Sequence, residues 1–311
     1  MKLARAIAIL TAAVISIATA AVRSQEAVPA FAGEGAPEPA ILAALISGEP
    51  ASFRPIGSTS LSFQVDLAGS IDAAFRPDTR THLRGWLAEA AAYRIAAELG
   101  LDSVPPVVVR AVDVNVLRRR LTPGASWDDV DDVLVVTGNV VRGAFVYWVP
   151  GMLRSDLDTP AGIARWSAWL AQGGEVPEDQ RALARDLSNV LVFDYLIGNR
   201  DRWSGGNARP LANGRLVIRD HNLAFPFALG VGVQQRMVET LRRTTRFSRA
   251  TIAHLEELDE PALRAALAAD DPALLLDERQ IAHVLERRQT ILSYVAALIE
   301  AHGEDAVLFF E

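Results

Sequence analysis

The chain has 311 residues, half of them apolar, enough for one two-lobed globular unit behind an export signal. Its formal charge is −7 and becomes two units more negative if Lys2 and Arg5 are removed, so no basic field draws it to nucleic acid or anionic lipid. It contains no cysteine, which excludes disulfides and thiol chemistry, and Lys2 is its only lysine; the body of the chain therefore has no lysine base, no Schiff-base lysine and no phosphate loop ending in Lys-Ser/Thr.

Lys2 and Arg5 precede an apolar run from Ala6 to about Val22, and Ala18-Thr19-Ala20 offers the small-x-small pattern of a cleavage site. This predicts a signal peptide over residues 1–22 and an exported, periplasmic or secreted protein. A run of this length also reads as a retained anchor, and membrane association then rests on that segment alone. Residues 23–55, rich in Ala, Pro, Gly and Glu, read as linker and lead-in with one short helix over 40–46.

Residues 56–150 read as a sheet-rich lobe. Alternation predicts strands over 61–65 and 71–75, joined at Gly69-Ser70 and preceded by a loop at Gly57-Ser58-Thr59. Between His82 and Leu99, Leu83, Trp86, Leu87, Ala90, Tyr93 and Ala97 recur at helical spacing, and Gly100 is placed to end the helix. Glu89 lies roughly 60° from Trp86 around that helix, which predicts a half-buried carboxylate at the edge of the apolar face. Further strands are expected over 104–109, 133–137 and 143–149.

After Pro150 the period changes, and residues 151–311 read as a helical lobe with helices near 159–171, 178–197, 234–245, 249–258, 261–268 and 278–302. The fold class is therefore α+β with two lobes, a layout that leaves a cleft between sheet and helices.

The helical lobe is interrupted by Gly198-Asn199-Arg200-Asp201-Arg202-Trp203-Ser204-Gly205-Gly206-Asn207, and a short strand near 216–219 then delivers Asp220-His221-Asn222-Leu223-Ala224-Phe225. Phosphoryl transfer needs a carboxylate to orient the attacking hydroxyl and accept its proton, and oxygen ligands to hold Mg²⁺ or Mn²⁺ against the nucleotide. Asp201 suits the first task, and Asn207 and Asp220 suit the second. The same residue types also serve as ordinary turn formers. Position favours the chemical reading, because Asp194 and Asp201 bracket a helix end and Asp220 follows an apolar strand.

The segment Asp194 to Arg202, the following Asn207, and Asp220 to Phe225 together resemble the pattern Asp-Φ-Φ-x-Gly-Asn-x-Asp-Arg, then Asn, then Asp-Asn-x-x-Ala-Phe, where Φ is apolar. That pattern belongs to the atypical secretory-pathway kinases typified by the Golgi casein kinase, with HipA-type and phosphatidylinositol kinases as remoter relatives. Glu89-Ala-Ala-Ala-Tyr93-Arg94 with Leu99-Gly100-Leu101 and Val104-Pro105-Pro106 is similar to the helix of that family that carries its pairing glutamate. The resemblance implies a two-lobed atypical protein-kinase-like fold that binds ATP with Mg²⁺ or Mn²⁺. It implies Asp201 as catalytic base, Asn207 and Asp220 as metal ligands, Glu89 as the helix carboxylate of the nucleotide site, and Asp194 as the residue tying down the loop.

Three positions depart from the pattern: Arg76-Pro77 stands where the family has Lys-Pro at the nucleotide phosphates, Trp203 replaces a histidine, and His221 replaces an asparagine. Arg76 keeps the positive charge for Glu89, but its planar fork differs from a compact ammonium. The resemblance thus implies transfer of the ATP terminal phosphate to a hydroxyl of an exported protein or glycan. A pseudokinase that keeps the fold without transfer, and a nucleotidyl transferase on the same scaffold, are its alternatives. The five histidines form no close ligand pair and most of them read as surface or helix residues, and neither Gly-x-Ser-x-Gly nor a dinucleotide glycine motif is present.

Overall fold

The computed structural model of the chain describes residues 31–33, 35–57, 60–69, 71–268 and 275–311; the segment 1–22 read as an export signal lies outside them, as do Ser58, Thr59 and Ser70. Strands β1 (Ser52–Ile56), β2 (Ser62–Asp66), β3 (Asp72–Pro77), β4 (Val107–Asp113), β5 (Val136–Thr137) and β6 (Val140–Tyr147) make one antiparallel sheet in the order β1-β2-β3-β6-β4, with β5 also paired to β6. The two-residue period of a strand sorts its side chains onto two faces. Phe53, Phe63, Phe75 and Phe145 share one face and pack ring against ring, with centroids between 4.7 and 6.2 Å apart. Ala74, Ala144 and Val146 belong to the other side and pack with the helical half.

The lead-in is more ordered than its composition suggests. Helix α1 (Glu38–Ser47) and β1 lie within the span read mainly as linker, and Ile41, Leu45 and Phe53 are buried with the phenylalanine cluster. Pro55 disguises β1 in the sequence, yet proline is tolerated here because β1 is an edge strand of the sheet. Glu38 closes this region by accepting from Phe31 N at 3.0 Å and from the Tyr93 hydroxyl at 2.5 Å.

Helix α2 (Gly85–Glu98) starts three residues later than its apolar spacing predicts, because Arg84 adopts a left-handed φ of 65°. Ala88, Ala90, Ala91, Ala92 and Ala96 are all buried along it. Small side chains on several sides let this helix sit between the sheet and the helical half, with only Leu87, Arg94, Ala97 and Glu98 left partly or fully exposed. Glu89 is consequently 1 % exposed instead of half-buried. The β4–β5 connection carries two short helices absent from the sequence expectation, α3 (Val114–Arg119) and α4 (Trp127–Asp131), capped by Asp113 and Ser126.

The remaining elements are α5 (Pro160–Leu170), α6 (Arg181–Ile197), the hairpin β7 (Ala208–Pro210) and β8 (Leu216–Ile218), α7 (Val231–Leu241), α8 (Arg249–Glu257), α9 (Glu260–Leu267), α10 (Glu278–His302) and α11 (Glu304–Val307). Helix α10 has the bounds predicted for it, opened by a capping box in which Asp277 and Gln280 serve each other's backbone N–H. Among the described residues no helix is long and apolar enough to cross a membrane. A sheet-rich part followed by a helical part is the α+β arrangement anticipated from the change of period.

Gly143 is the tightest point of the sheet. It pairs with Pro77 across β3 and β6, and a Cβ there would lie 2.3 Å from the Arg76 carbonyl oxygen and 2.4 Å from the Phe75 ring. Gly143→Ala is expected to destabilise the protein by about 1–3 kcal/mol, the usual cost of overpacking, read as a lowered urea midpoint with unchanged m-value.

Candidate active site

Helix α6 stops where Gly198 takes a φ of 71°, and its backbone N–H closes onto the Asp194 and Tyr195 carbonyls. The chain then forms a loop organised by a buried ion pair. Arg202, 1 % exposed, directs Nε and Nη2 at the Asp194 carboxylate, each with an oxygen 3.0 Å away, while Asn199 Nδ2 donates to the same carboxylate at 3.1 Å. The remaining arm of Arg202 donates to the carbonyls of Asn207 at 3.0 Å and Arg219 at 2.5 Å. One guanidinium therefore holds the end of α6, the loop and both ends of the β7–β8 hairpin. Trp203, where the family pattern has histidine, stacks on Trp166 at 4.9 Å.

The hairpin is anchored a second time through Asp186, which is 2 % exposed on α6 and accepts from Arg215 Nε at 2.8 Å and Leu216 N at 3.0 Å. Arg215 also reaches Asp102 at 2.6 Å, in the turn between α2 and β4. These contacts fix the direction in which β8 delivers Asp220.

On the sheet side, Ala74 and Arg76 of β3 face the cleft while Phe75 faces the phenylalanine core. Arg76 Nε lies 2.8 Å from Glu89 Oε1 and Arg76 Nη2 lies 2.9 Å from Asp220 Oδ1. The second contact is an ion pair. Glu89 also accepts from His221 N at 3.0 Å, and its Oε2 sits 3.2 Å from His221 Nδ1. His221 is 1 % exposed, an exception to the surface or helix placement expected for most of the histidines: it stands in a loop and supports Glu89. Asp220 has a φ of 63°, a costly conformation for a residue with a Cβ, held by the contacts on either side of it.

Burial pushes the Glu89 carboxyl up, but the Arg76 charge and the His221 hydrogen bonds outweigh it and hold the group at about 2, below its ordinary 4.5. Burial likewise lowers Arg76, and its two carboxylate neighbours more than offset this and raise it. Arg219 is the contrasting case: burial, then the Arg209 and Arg76 charges, depress it against the pull of Asp220.

Arg76, Glu89, Asp201, Asn207 and Asp220, all singled out in the sequence, line one cleft of about 620 Å³ between the sheet and the helical half. Asp201 is half-buried, with Ser204 Oγ donating to its Oδ1 at 2.7 Å and Asn207 Nδ2 donating to its backbone carbonyl at 3.1 Å. That orientation leaves the Asn207 Oδ1 as an acceptor, and the Asp220 side chain is 32 % exposed toward the cleft. Among the described residues no group of three or more Asp, Glu or His side chains makes an all-protein metal cage. An amide oxygen and a carboxylate nevertheless fit Mg²⁺ or Mn²⁺ that takes its other ligands from phosphate and water. Sequence reasoning missed Arg219, which lines the cleft one residue before Asp220; its position between a short apolar strand and Asp220 was the available signal.

The depressed Glu89 carboxyl links stability to pH. A folded value below the unfolded one contributes stability above pH about 4.5 that is lost as pH falls toward 2. Glu89→Gln is therefore expected to be less stable than the native protein at neutral pH, with the gap narrowing between about 4.5 and 2. Urea titrations at several pH values measure the gap, and a constant difference contradicts this account.

No protein-family model and no curated protein sequence matches the chain. Solved structures do match. The Golgi casein kinase crystallised with Mn/ADP bound superposes with a TM-score of 0.63 at 17% identity, over 86% of this chain and 77% of that one. Hydra Fam20, solved with sugar, gives 0.64 at 16% identity over 86% and 90%. The chain therefore has the two-lobed fold of these Fam20 kinases, with a sheet-rich first lobe and a helical second lobe.

Proposed function

We propose that the protein transfers the terminal phosphate of ATP to a hydroxyl of an exported protein or glycan. The observation that carries this reading is that Asp201, Asn207 and Asp220 from the helical half meet Arg76 and Glu89 from the sheet half on one cleft. The fold supports phosphotransfer in general, and one neighbour's Mn/ADP supports the choice of nucleotide and metal. The predicted signal at 1–22 and the secretory character of the family that the motifs resemble support an exported location.

In this mechanism Asp201 orients the acceptor hydroxyl and takes its proton as the new oxygen–phosphorus bond forms and the bond to the β-phosphate oxygen breaks, releasing ADP. The Ser204 hydrogen bond holds the Asp201 carboxylate toward the cleft. Asn207 and Asp220 hold the Mg²⁺ or Mn²⁺, which supplies neutralisation of the phosphate charge. Glu89, kept ionised by Arg76 and His221, ties α2 to the segment carrying Asp220.

A pseudokinase is the second reading, and a specific observation favours it. Arg76 replaces the family lysine and is already engaged by Glu89 and Asp220, so metal binding by Asp220 competes with an ion pair at 2.9 Å.

The test is ATP turnover and acceptor labelling with Mn²⁺, alongside thermal stability. Asp201→Ala is expected to lose about 10²–10⁴-fold in turnover while keeping its melting temperature and its stabilisation by ATP. Asp220→Ala is expected to lose the metal-dependent stabilisation. Nucleotide stabilisation without turnover in the native protein, together with activity gained in Arg76→Lys, decides for the pseudokinase. No stabilisation at millimolar ATP and metal defeats the kinase reading and favours a pseudokinase that binds no nucleotide.

A further inference from the structure

Two guanidinium groups line the cleft, and their situations differ. Arg76 is engaged through Nε with Glu89 and through Nη2 with Asp220. Arg219 has a fixed backbone, its N–H donating to the Asn207 carbonyl at 3.0 Å and its own carbonyl accepting from Arg202 at 2.5 Å. Its side chain, by contrast, forms no hydrogen bond or ion pair among the described residues, and its Nε is buried without a partner.

The orientation follows from the strand period. Val217 and Arg219 line the cleft, and the intervening Ile218 is buried in the core. Arg209, paired with Val217 across the hairpin, turns its Nε back onto the Gly206 carbonyl at 2.9 Å, and is thereby occupied. A buried guanidinium N–H left unpaired is costly, and the fork of an arginine matches two oxygens of a phosphate group. The neighbouring acids do not satisfy it, although Glu89, Asp201 and Asp220 line the same cleft. The site thus holds an unpaired donor next to the proposed metal ligands.

We infer that Arg219 is the phosphate-reading residue of this cleft, its guanidinium taking a non-transferred phosphate oxygen of a nucleoside di- or triphosphate. Its guanidinium is uncommitted, whereas Arg76 is held between two carboxylates through Nε and Nη2. The inference rests on the kinase reading, and Arg219 acts as a binding residue with no part in proton transfer.

Calorimetric titration of the native protein, Arg219→Met and Arg219→Lys with ADP, AMP and adenosine in Mn²⁺ tests it. Arg219→Met is expected to weaken ADP by about tenfold or more, the worth of one charge-assisted hydrogen bond, and to leave adenosine unchanged. Arg219→Lys, which keeps the charge and loses the fork, is expected to show a smaller loss in the same direction and carries the comparison if the methionine variant does not fold. Unchanged ADP affinity overturns the inference, as does equal weakening of ADP and adenosine, which marks a structural role. Unchanged ADP affinity with a raised KM for an acidic acceptor also overturns it and assigns the residue to the acceptor. A native protein that binds no ADP at all defeats the kinase reading, an outcome visible before any variant is compared.

Discussion

The buried pair of Arg202 and Asp194 is the interaction on which the candidate site depends. An arginine that is 1 % exposed survives burial only when its donors are satisfied, and here the partners come from the last turn of α6 and from the carbonyls of Asn207 and Arg219. Satisfying one charge thereby places three pieces of chain that are otherwise loop. Asp201 sits inside this frame, and Asn207 and Asp220 occupy its two edges. Asp186 and Arg215 repeat the device one layer away, so the hairpin cannot shift without exposing a second buried carboxylate.

The two halves of the molecule are joined at the cleft by a different charge system. Arg76 on β3, Glu89 on α2 and Asp220 after β8 form a continuous set of ion pairs at 2.8 and 2.9 Å, with His221 bracing the buried glutamate. In the family that the motifs resemble, a lysine occupies the Arg76 position. A flexible ammonium can shift between carboxylate and phosphate, whereas a planar fork pairs with two carboxylates at once. The near absence of lysine from the chain thus has a structural counterpart: Arg76 serves as a clamp, and Arg219 has no side-chain partner among the described residues.

Much of the architecture was legible because its signals are local. Helix α10 was delimited by its apolar period and by Gly303, and α6 by Gly198, whose positive φ ends a helix without steric cost. The loop residues were legible through their order along the chain. Other features depend on distant partners. Edge strand β1 looked like the end of a linker because the span leading to it is rich in Ala, Pro, Gly and Glu without a lasting period, and only its pairing with β2 shows that Pro55 stands in an edge strand. Glu89 looked half-buried because helical periodicity describes one face, while α2 is covered on several.

The sequence by itself determined the exclusions and the roster: no thiol, no lysine in the body of the chain, a change of period near Pro150, and an Asp201, Asn207, Asp220 set in a polar loop. Composition and spacing carry that information because they concern neighbours along the chain. Tertiary structure alone decided that Arg76 binds two carboxylates, that His221 is buried against Glu89, and that Arg219 has no side-chain partner among the described residues. Those outcomes depend on which groups packing brings together, as with His221 and Glu89, 132 positions apart in the sequence, and no local pattern encodes them.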